Sequence, residues 1–199
     1  MSTLLVIHSS LNAQGQSYQL AEQFAQTWQQ AAADREIIRR DLAANPLSHL
    51  SEADITAFFS PEDSLGEEAQ ARRQLSDDLI AEVRQADAIA IAVPMYNFGV
   101  PSTLKAWLDR LARAGVTFKY TETGPVGLIE DKPVYLFAAR GGIHQGLPSD
   151  SQTGFLSSFF GLIGLKSLHF VYAEGLNMGD AAREAALSAA QTQIAELAK

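Results

Sequence analysis

Ala88-Ile89-Ala90-Ile91-Ala92-Val93, bounded by Asp87 and Pro94, decides the fold. An apolar run of this length with no polar residue on either face suits a strand covered on both sides, in the middle of a parallel sheet. Comparable runs lie to either side of it. Thr3–His8 (TLLVIH) and Val134–Ala139 (VYLFAA) read as buried strands, and Ser167–Ala173 as another. Glu36–Arg40 (EIIRR) is shorter and partly polar, which fits an edge.

The stretches between these runs carry helical spacing. Leu20, Phe24, Trp28 and Ala31 mark one helix face, and Leu75, Leu79 and Val83 another. Pro101, a favoured first helical residue, opens a helix with Leu104, Trp107, Leu108 and Leu111 on one side, expected to end near Gly115. Phe155–Leu165 is a very apolar helix, deeply buried or at a subunit contact, and Ala181–Leu197 closes the chain. Ala43–Gly66 reads as an irregular excursion holding one short helix. The alternation predicts an α/β domain over residues 1–199, a five-stranded parallel sheet with helices on both faces. Ligands of such sheets bind beyond the C-terminal strand ends. The loops Ser9–Ser17, Pro94–Gly99 and Arg140–Pro148 are therefore where chemistry is expected.

Composition narrows that chemistry. The chain has no cysteine, which excludes disulfides, thiolate catalysis and iron–sulfur clusters. A net charge of −8 argues against nucleic acid or an anionic membrane as a partner. Met1–His8 runs directly into a strand without a signal-peptide pattern, and no apolar run approaches the roughly 20 residues of a membrane span. A cytoplasmic location is expected.

The first loop, Ser9 to Ser17, offers hydroxyls, backbone amides and a helix N-terminus, which together suit a phosphate. It equally reads as a plain helix start with Ser17 as N-cap. It contains no lysine or arginine, so hydrogen bonds and the helix dipole are expected to hold any phosphate there. The GxxxxGK(S/T) pattern is absent, and GxGxxG does not follow the first strand.

The second loop, Pro94-Met95-Tyr96-Asn97-Phe98-Gly99, supplies flat aromatic surface and, in Asn97, an amide that both donates and accepts. That pairing matches the pyrimidine edge of a flavin; the aromatics would also serve in a core. In the third loop, Gly141 and Gly142 let the backbone approach a ligand and aim N–H groups at it. Donors fixed beside a flavin's N1 and O2 would stabilise the charge gained on reduction. His144 is placed to donate to that edge or to a substrate. His8, at a buried strand end, reads as packing.

Further stretches follow the same order along the chain: Asp41-Leu42-Ala43-Ala44-Asn45-Pro46, Ala112-Arg113-Ala114-Gly115-Val116-Thr117-Phe118 and Ala173-Glu174-Gly175. With Ser9-Ser10 and Ser17, Pro94–Phe98 and Arg140–His144, they resemble the flavodoxin-like FMN-dependent NADH-azoreductases, also described as FMN-dependent NADH:quinone oxidoreductases. The resemblance implies one FMN per subunit and a homodimer with its sites near the subunit interface. It implies ping-pong chemistry, in which NADH or NADPH delivers hydride to the flavin and leaves. A quinone then takes its place, or an aromatic azo compound that is cleaved to amines.

Carried over by position, Ser10, Gly15, Gln16 and Ser17 hold the phosphate, while Met95, Tyr96, Asn97, Phe98, Ala139, Arg140, Gly141 and Gly142 surround the ring system. Asn97 and His144 act beside it, and Phe118 and Tyr120 line the substrate mouth. No metal or protein nucleophile is implied. Gly15 and Ala139 depart from the family, where serine is common at both positions. The alternative on the same fold is an electron-transfer flavodoxin-like carrier without substrate turnover of its own. The excursion at Ala43–Gly66 and the lack of a Thr-rich phosphate loop favour the reductase.

Overall fold

In the computed structural model, which describes residues 1–199, the chain begins with β1 (Ser2–His8), α1 (Gln16–Gln30), β2 (Arg35–Asp41), α2 (Glu52–Phe59) and α3 (Glu67–Gln85). It continues through β3 (Ala88–Pro94), α4 (Ser102–Leu111), β4 (Phe118–Thr121), β5 (Gly124–Gly127) and β6 (Val134–Ala139). It ends with α5 (Ser151–Ile163), β7 (Leu168–Ala173) and α6 (Asp180–Leu197). The main sheet has five strands in the order β2-β1-β3-β6-β7, all paired in parallel. The chain adds β2 on one side of β1 and then builds away on the other, so the order reverses between β1 and β3.

The alternation within AIAIAV shows how both faces are filled. Successive strand side chains point to opposite faces. Ala88, Ala90 and Ala92 join Leu4, Val6 and Phe24 in the cluster under α1 and α6. Ile89, Ile91 and Val93 join Leu5, Leu79, Trp107 and Phe160 in the cluster under α3, α4 and α5. The small residues leave room for Phe24, which packs against Phe137 and Tyr135. Each of Ile89, Ile91 and Val93 is fully buried, worth roughly 1.5–3 kcal/mol apiece relative to exposure. β2 lies at the edge, as its polar sequence suggested.

Three boundaries differ from expectation. Pro101 is the N-cap of α4, not its first helical residue, and α4 ends at Leu111. α5 starts at Ser151, because the Asp150 carboxylate caps it by accepting from the Thr153 amide (3.1 Å). The unforeseen elements are β4 and β5, an antiparallel hairpin outside the main sheet. Its strands have four residues each and are mostly exposed, so no periodic apolar signal marks them. The Ile129 amide donates to the Ile163 carbonyl, and a Cβ on Gly127 would lie 2.1 Å from the Gly164 nitrogen. This close approach docks the hairpin at the C-terminal end of α5, beside the N-terminal edge of the sheet.

The excursion is held by Asp54, a buried capping-box residue in α2. Its carboxylate accepts from the Ser51 amide (2.8 Å) and pairs with Arg72 and Arg110 (3.3 Å each). Burial pushes this carboxyl up, but Ser51 and Arg110 outweigh it and hold its pKa at about 2. No helix is long and apolar enough to cross a membrane.

Candidate active site

The C-terminal ends of β1, β3, β6 and β7 surround a cavity of about 260 Å³ that all three loops line. Beyond Tyr96 it adjoins a trough of about 620 Å³ reaching Asn97, Leu11 and Pro101. A larger groove, about 670 Å³, lies instead between α2 and α3. It touches no strand end of the main sheet and carries no aromatic side chain.

The first loop is built to present donors. Gly15, not Ser17, is the N-cap of α1. The amides of Gln16, Ser17 and Tyr18 have no protein acceptor, as befits the first turn of a helix. The Ser17 hydroxyl is buried and also unpartnered. Buried polar atoms are nearly always paired, and this one belongs to a residue lining the cavity, where a ligand acceptor could meet it. The Ser10 hydroxyl donates to the Asn12 carbonyl (2.8 Å), as does the Gly15 amide (2.8 Å). A Cβ on Gly15 would lie 2.5 Å from Ser10 Oγ and 2.9 Å from that carbonyl. The loop thus closes on itself at Gly15 and has no room for a serine there in this conformation.

The second loop is strained. Tyr96 and Gly99 exchange backbone hydrogen bonds (3.1 and 3.0 Å), with φ of 50° at Asn97 and 64° at Phe98. Two left-handed central residues in a tight turn suit asparagine or glycine and disfavour phenylalanine, at about 1–2 kcal/mol. The surroundings hold it in place. Gln152 Nε2 donates to the Pro94 and Gly99 carbonyls (3.0 and 3.1 Å), and the Ser151 hydroxyl to the Phe98 carbonyl. The Tyr96 hydroxyl accepts from the Leu11 amide (3.2 Å), bracing this loop on the first. Asn97 and Phe98 are left exposed.

In the third loop the carbonyls of Arg140, Gly141 and Gly142 accept from the amides of Leu176, Asn177 and Gly175 (3.2, 3.0 and 3.0 Å). The amides of Gly141 and Gly142 have no acceptor, so the free backbone groups here are donors. A Cβ on Gly141 would lie 2.6 Å from Asn177 Nδ2, and one on Gly142 would lie 3.0 Å from His144 Nε2. His144 is fixed through Nδ1 by the Ser149 hydroxyl (2.9 Å) and meets the Phe98 ring edge-on.

Arg140 braces the loop: its amide donates to the Ala173 carbonyl (2.9 Å) and its side chain turns away from the cavity. Its guanidinium is buried among Glu174 (2.9 Å), Asp150 (2.8 Å) and Gln152 (3.1 Å). Burial pushes the Asp150 carboxyl up, but its bonds to Thr153 and Arg140 prevail and hold it below the usual range. Glu174 also accepts from the His144 and Gln145 amides (3.0 Å each), stapling the loop. His8 is buried, stacked on Tyr18 and hydrogen-bonded to Glu22 (2.7 Å), in a packing role.

Ser10, Gly15, Gln16, Ser17, Met95, Tyr96, Ala139, Arg140 and Gly141 therefore share one cavity, with Asn97 on the adjoining trough. Gly142 and His144 continue the third loop beside it. Phe118 and Tyr120 do not join them within the chain. They stack edge-to-face on the hairpin at the opposite end of the sheet, with Tyr120 76% exposed. Sequence reasoning missed Leu176, Asn177 and Arg183, which also line the cavity. Their signal was positional: the segment after β7 reaches the same sheet edge. The arrangement can take a phosphate-bearing ligand with a flat, polar-edged ring.

Comparison with known proteins agrees. The model of the flavodoxin-like fold family matches residues 1–198. An FMN-dependent NADH:quinone oxidoreductase of Cellvibrio japonicus is 51% identical over 195 residues, 98% of this chain and 97% of that protein. One from Burkholderia pseudomallei is 49% identical over 196 residues, 98% of this chain and 99% of that protein. The crystal structure of an azoreductase from Bacillus anthracis matches with a TM-score of 0.91 at 28% identity, covering 100% of this chain and 99% of that one. Such identity along nearly the whole length places the chain in the flavodoxin-like fold family and, within it, among the FMN-dependent NADH:quinone oxidoreductases.

Proposed function

We propose that this protein is an FMN-dependent NADH:quinone oxidoreductase that also cleaves aromatic azo compounds, with residues 1–199 forming one FMN-binding domain. The observation that carries this reading is a strand-end cavity whose polar groups are donors awaiting a partner. The donor set fits FMN. The orphaned Ser17 hydroxyl and the open amides of Gln16, Ser17 and Tyr18 suit the phosphate. The free amides of Gly141 and Gly142 and the exposed Asn97 carboxamide suit the ring edge.

Bound there, FMN supplies the two-electron exchange between NADH and an acceptor. The chain's own residues position and tune. Gly141 and Gly142, in a loop fixed by the 175–177 amides, would offer preorganised N–H dipoles to the negative charge a bound flavin gains on reduction. His144, locked by Ser149, offers Nε2 beside Gly142 for a proton or hydrogen bond at the same edge. Leu11, Phe98, Ile143, Leu147 and Met178 are each more than half exposed, and the loops bearing them surround the cavity. This apolar rim suits flat acceptors. A quinone takes two electrons and two protons per turnover, and full cleavage of an azo bond to amines takes twice that.

The protein acts as a homodimer in the cytoplasm under this reading, and the hairpin of one protomer is the element that would bring Phe118 and Tyr120 to its partner's site. The position of Tyr120, exposed and remote from its own cavity, supports that assignment. NADPH is the second donor to test beside NADH. The test is steady-state oxidation of NADH by the purified protein with a quinone, and separately with an azo dye, in the absence of any partner reductase. Turnover is expected with both acceptors; a flavin-loaded protein that oxidises NADH only through an added reductase would be a carrier instead.

A further inference from the structure

We propose that Arg183 is the cation that pairs with the phosphate of the bound cofactor, an inference that rests on the FMN reading above. The first loop has no basic residue, yet the cavity it lines receives one from far along the chain. α1 and α6 pack on the same sheet face, and both begin at its C-terminal edge. Arg183, in the first turns of α6, lines the cavity together with Ser10, Gly15, Gln16 and Ser17.

Its charge is uncommitted. The other arginine on the cavity, Arg140, is neutralised by Asp150 and Glu174. Arg183 has no carboxylate within ion-pair distance and no hydrogen-bond partner for its guanidinium. Asp180 is the acidic residue of the first turn and does not pair with it. A cation near a helix N-terminus is disfavoured by the helix dipole, and an anion in the cavity would reverse that penalty.

A second, independent sign points to the same ligand. Ser17, 1% exposed, lines this cavity, and its buried hydroxyl has no partner. Gly15 leaves no space for a side-chain donor at its own position. A guanidinium reaching in from α6 supplies a planar fork of donors suited to phosphate oxygens. In a chain of net charge −8, it also offsets the local repulsion of a dianion.

The test is titration of the apo-protein with FMN and, separately, with riboflavin, which lacks the phosphate. Flavin fluorescence is followed in wild type, Arg183→Gln and Arg183→Lys. Arg183→Gln is expected to weaken FMN binding about tenfold to a hundredfold and to leave riboflavin binding unchanged, with Arg183→Lys restoring part of the loss. Inorganic phosphate should compete with FMN in wild type and less well in Arg183→Gln. Arg183→Gln binding FMN as tightly as wild type, or losing both flavins equally, overturns the assignment and leaves the FMN reading intact. A large drop in the apo-protein's melting temperature would mark a scaffold role and overturn it too. Wild type that shows no preference for FMN over riboflavin removes the FMN reading, and this inference with it.

Discussion

Ser17→Ala separates a ligand-binding hydroxyl from a structural one by the sign of two effects. The hydroxyl is buried and makes no hydrogen bond within the protein, so truncation breaks no intramolecular hydrogen bond. A desolvated, unpaired polar group costs about 1–3 kcal/mol, and water entering the cavity recovers part of that. The apo-protein should therefore hold its stability or gain up to about 1 kcal/mol, a rise of roughly 2–4 °C in melting temperature for a chain of this size. In the FMN complex the same hydroxyl would bond a charged phosphate, worth about 1.5–3 kcal/mol, so FMN binding should weaken about tenfold to a hundredfold. Thermal melts with and without FMN, combined with a flavin titration, read both effects. The apo curve is expected to move up or stay, while the shift induced by FMN shrinks. An apo-protein that melts several degrees lower and still binds FMN like wild type would show the hydroxyl to be structural.

Three further perturbations probe the supports of the site. Glu174→Ala removes one of two carboxylates from buried Arg140 and the acceptor of the His144 and Gln145 amides; urea unfolding should show a loss of about 2–3 kcal/mol, and a loss under ~0.5 kcal/mol would contradict the stapling role. Phe98→Gly relieves a φ of 64° and should raise stability by about 1 kcal/mol while weakening flavin binding; a fall in stability would mean that Phe98 packs rather than strains. Asp54 has a folded pKa of about 2 against an ordinary 3.8. Its depressed pKa stabilises the fold fully above the ordinary value, and that contribution is lost as pH falls through about 2. The gap between wild type and Asp54→Asn in urea unfolding should therefore narrow by about 2 kcal/mol across that window; a constant gap would contradict the ion-pair account.

The sheet was legible because β3 and β6 are buried on both faces, and their sequences state it without interruption. The three loops were legible for a geometric reason: each must follow a parallel strand, and ligands bind where such strands end. The hairpin was hidden because its short, exposed strands follow no apolar period. Arg140 shows a different limit. The family resemblance puts it among the flavin contacts, but whether a guanidinium turns to the cavity or to Asp150 and Glu174 depends on partners that the fold brings from two other segments. Arg183 was invisible for the same reason. Nothing local marks it, and only the packing of α6 beside α1 makes it a neighbour of the first loop. Ser17 reads from sequence as either an N-cap or a phosphate contact, and its position after the Gly15 cap, with its hydroxyl unpaired, speaks for the ligand.

Under the proposed function the donors at the sheet's C-terminal edge hold FMN, and the flavin carries electrons from NADH to a quinone. Anaerobic stopped-flow mixing of the FMN-loaded protein with NADH, followed by a second mixing with quinone, tests it most directly. The oxidised flavin band is expected to bleach in the first step and return fully in the second, with one quinol formed per NADH consumed. Flavin that stays oxidised with NADH, or that is reduced but not reoxidised by any quinone, would contradict it.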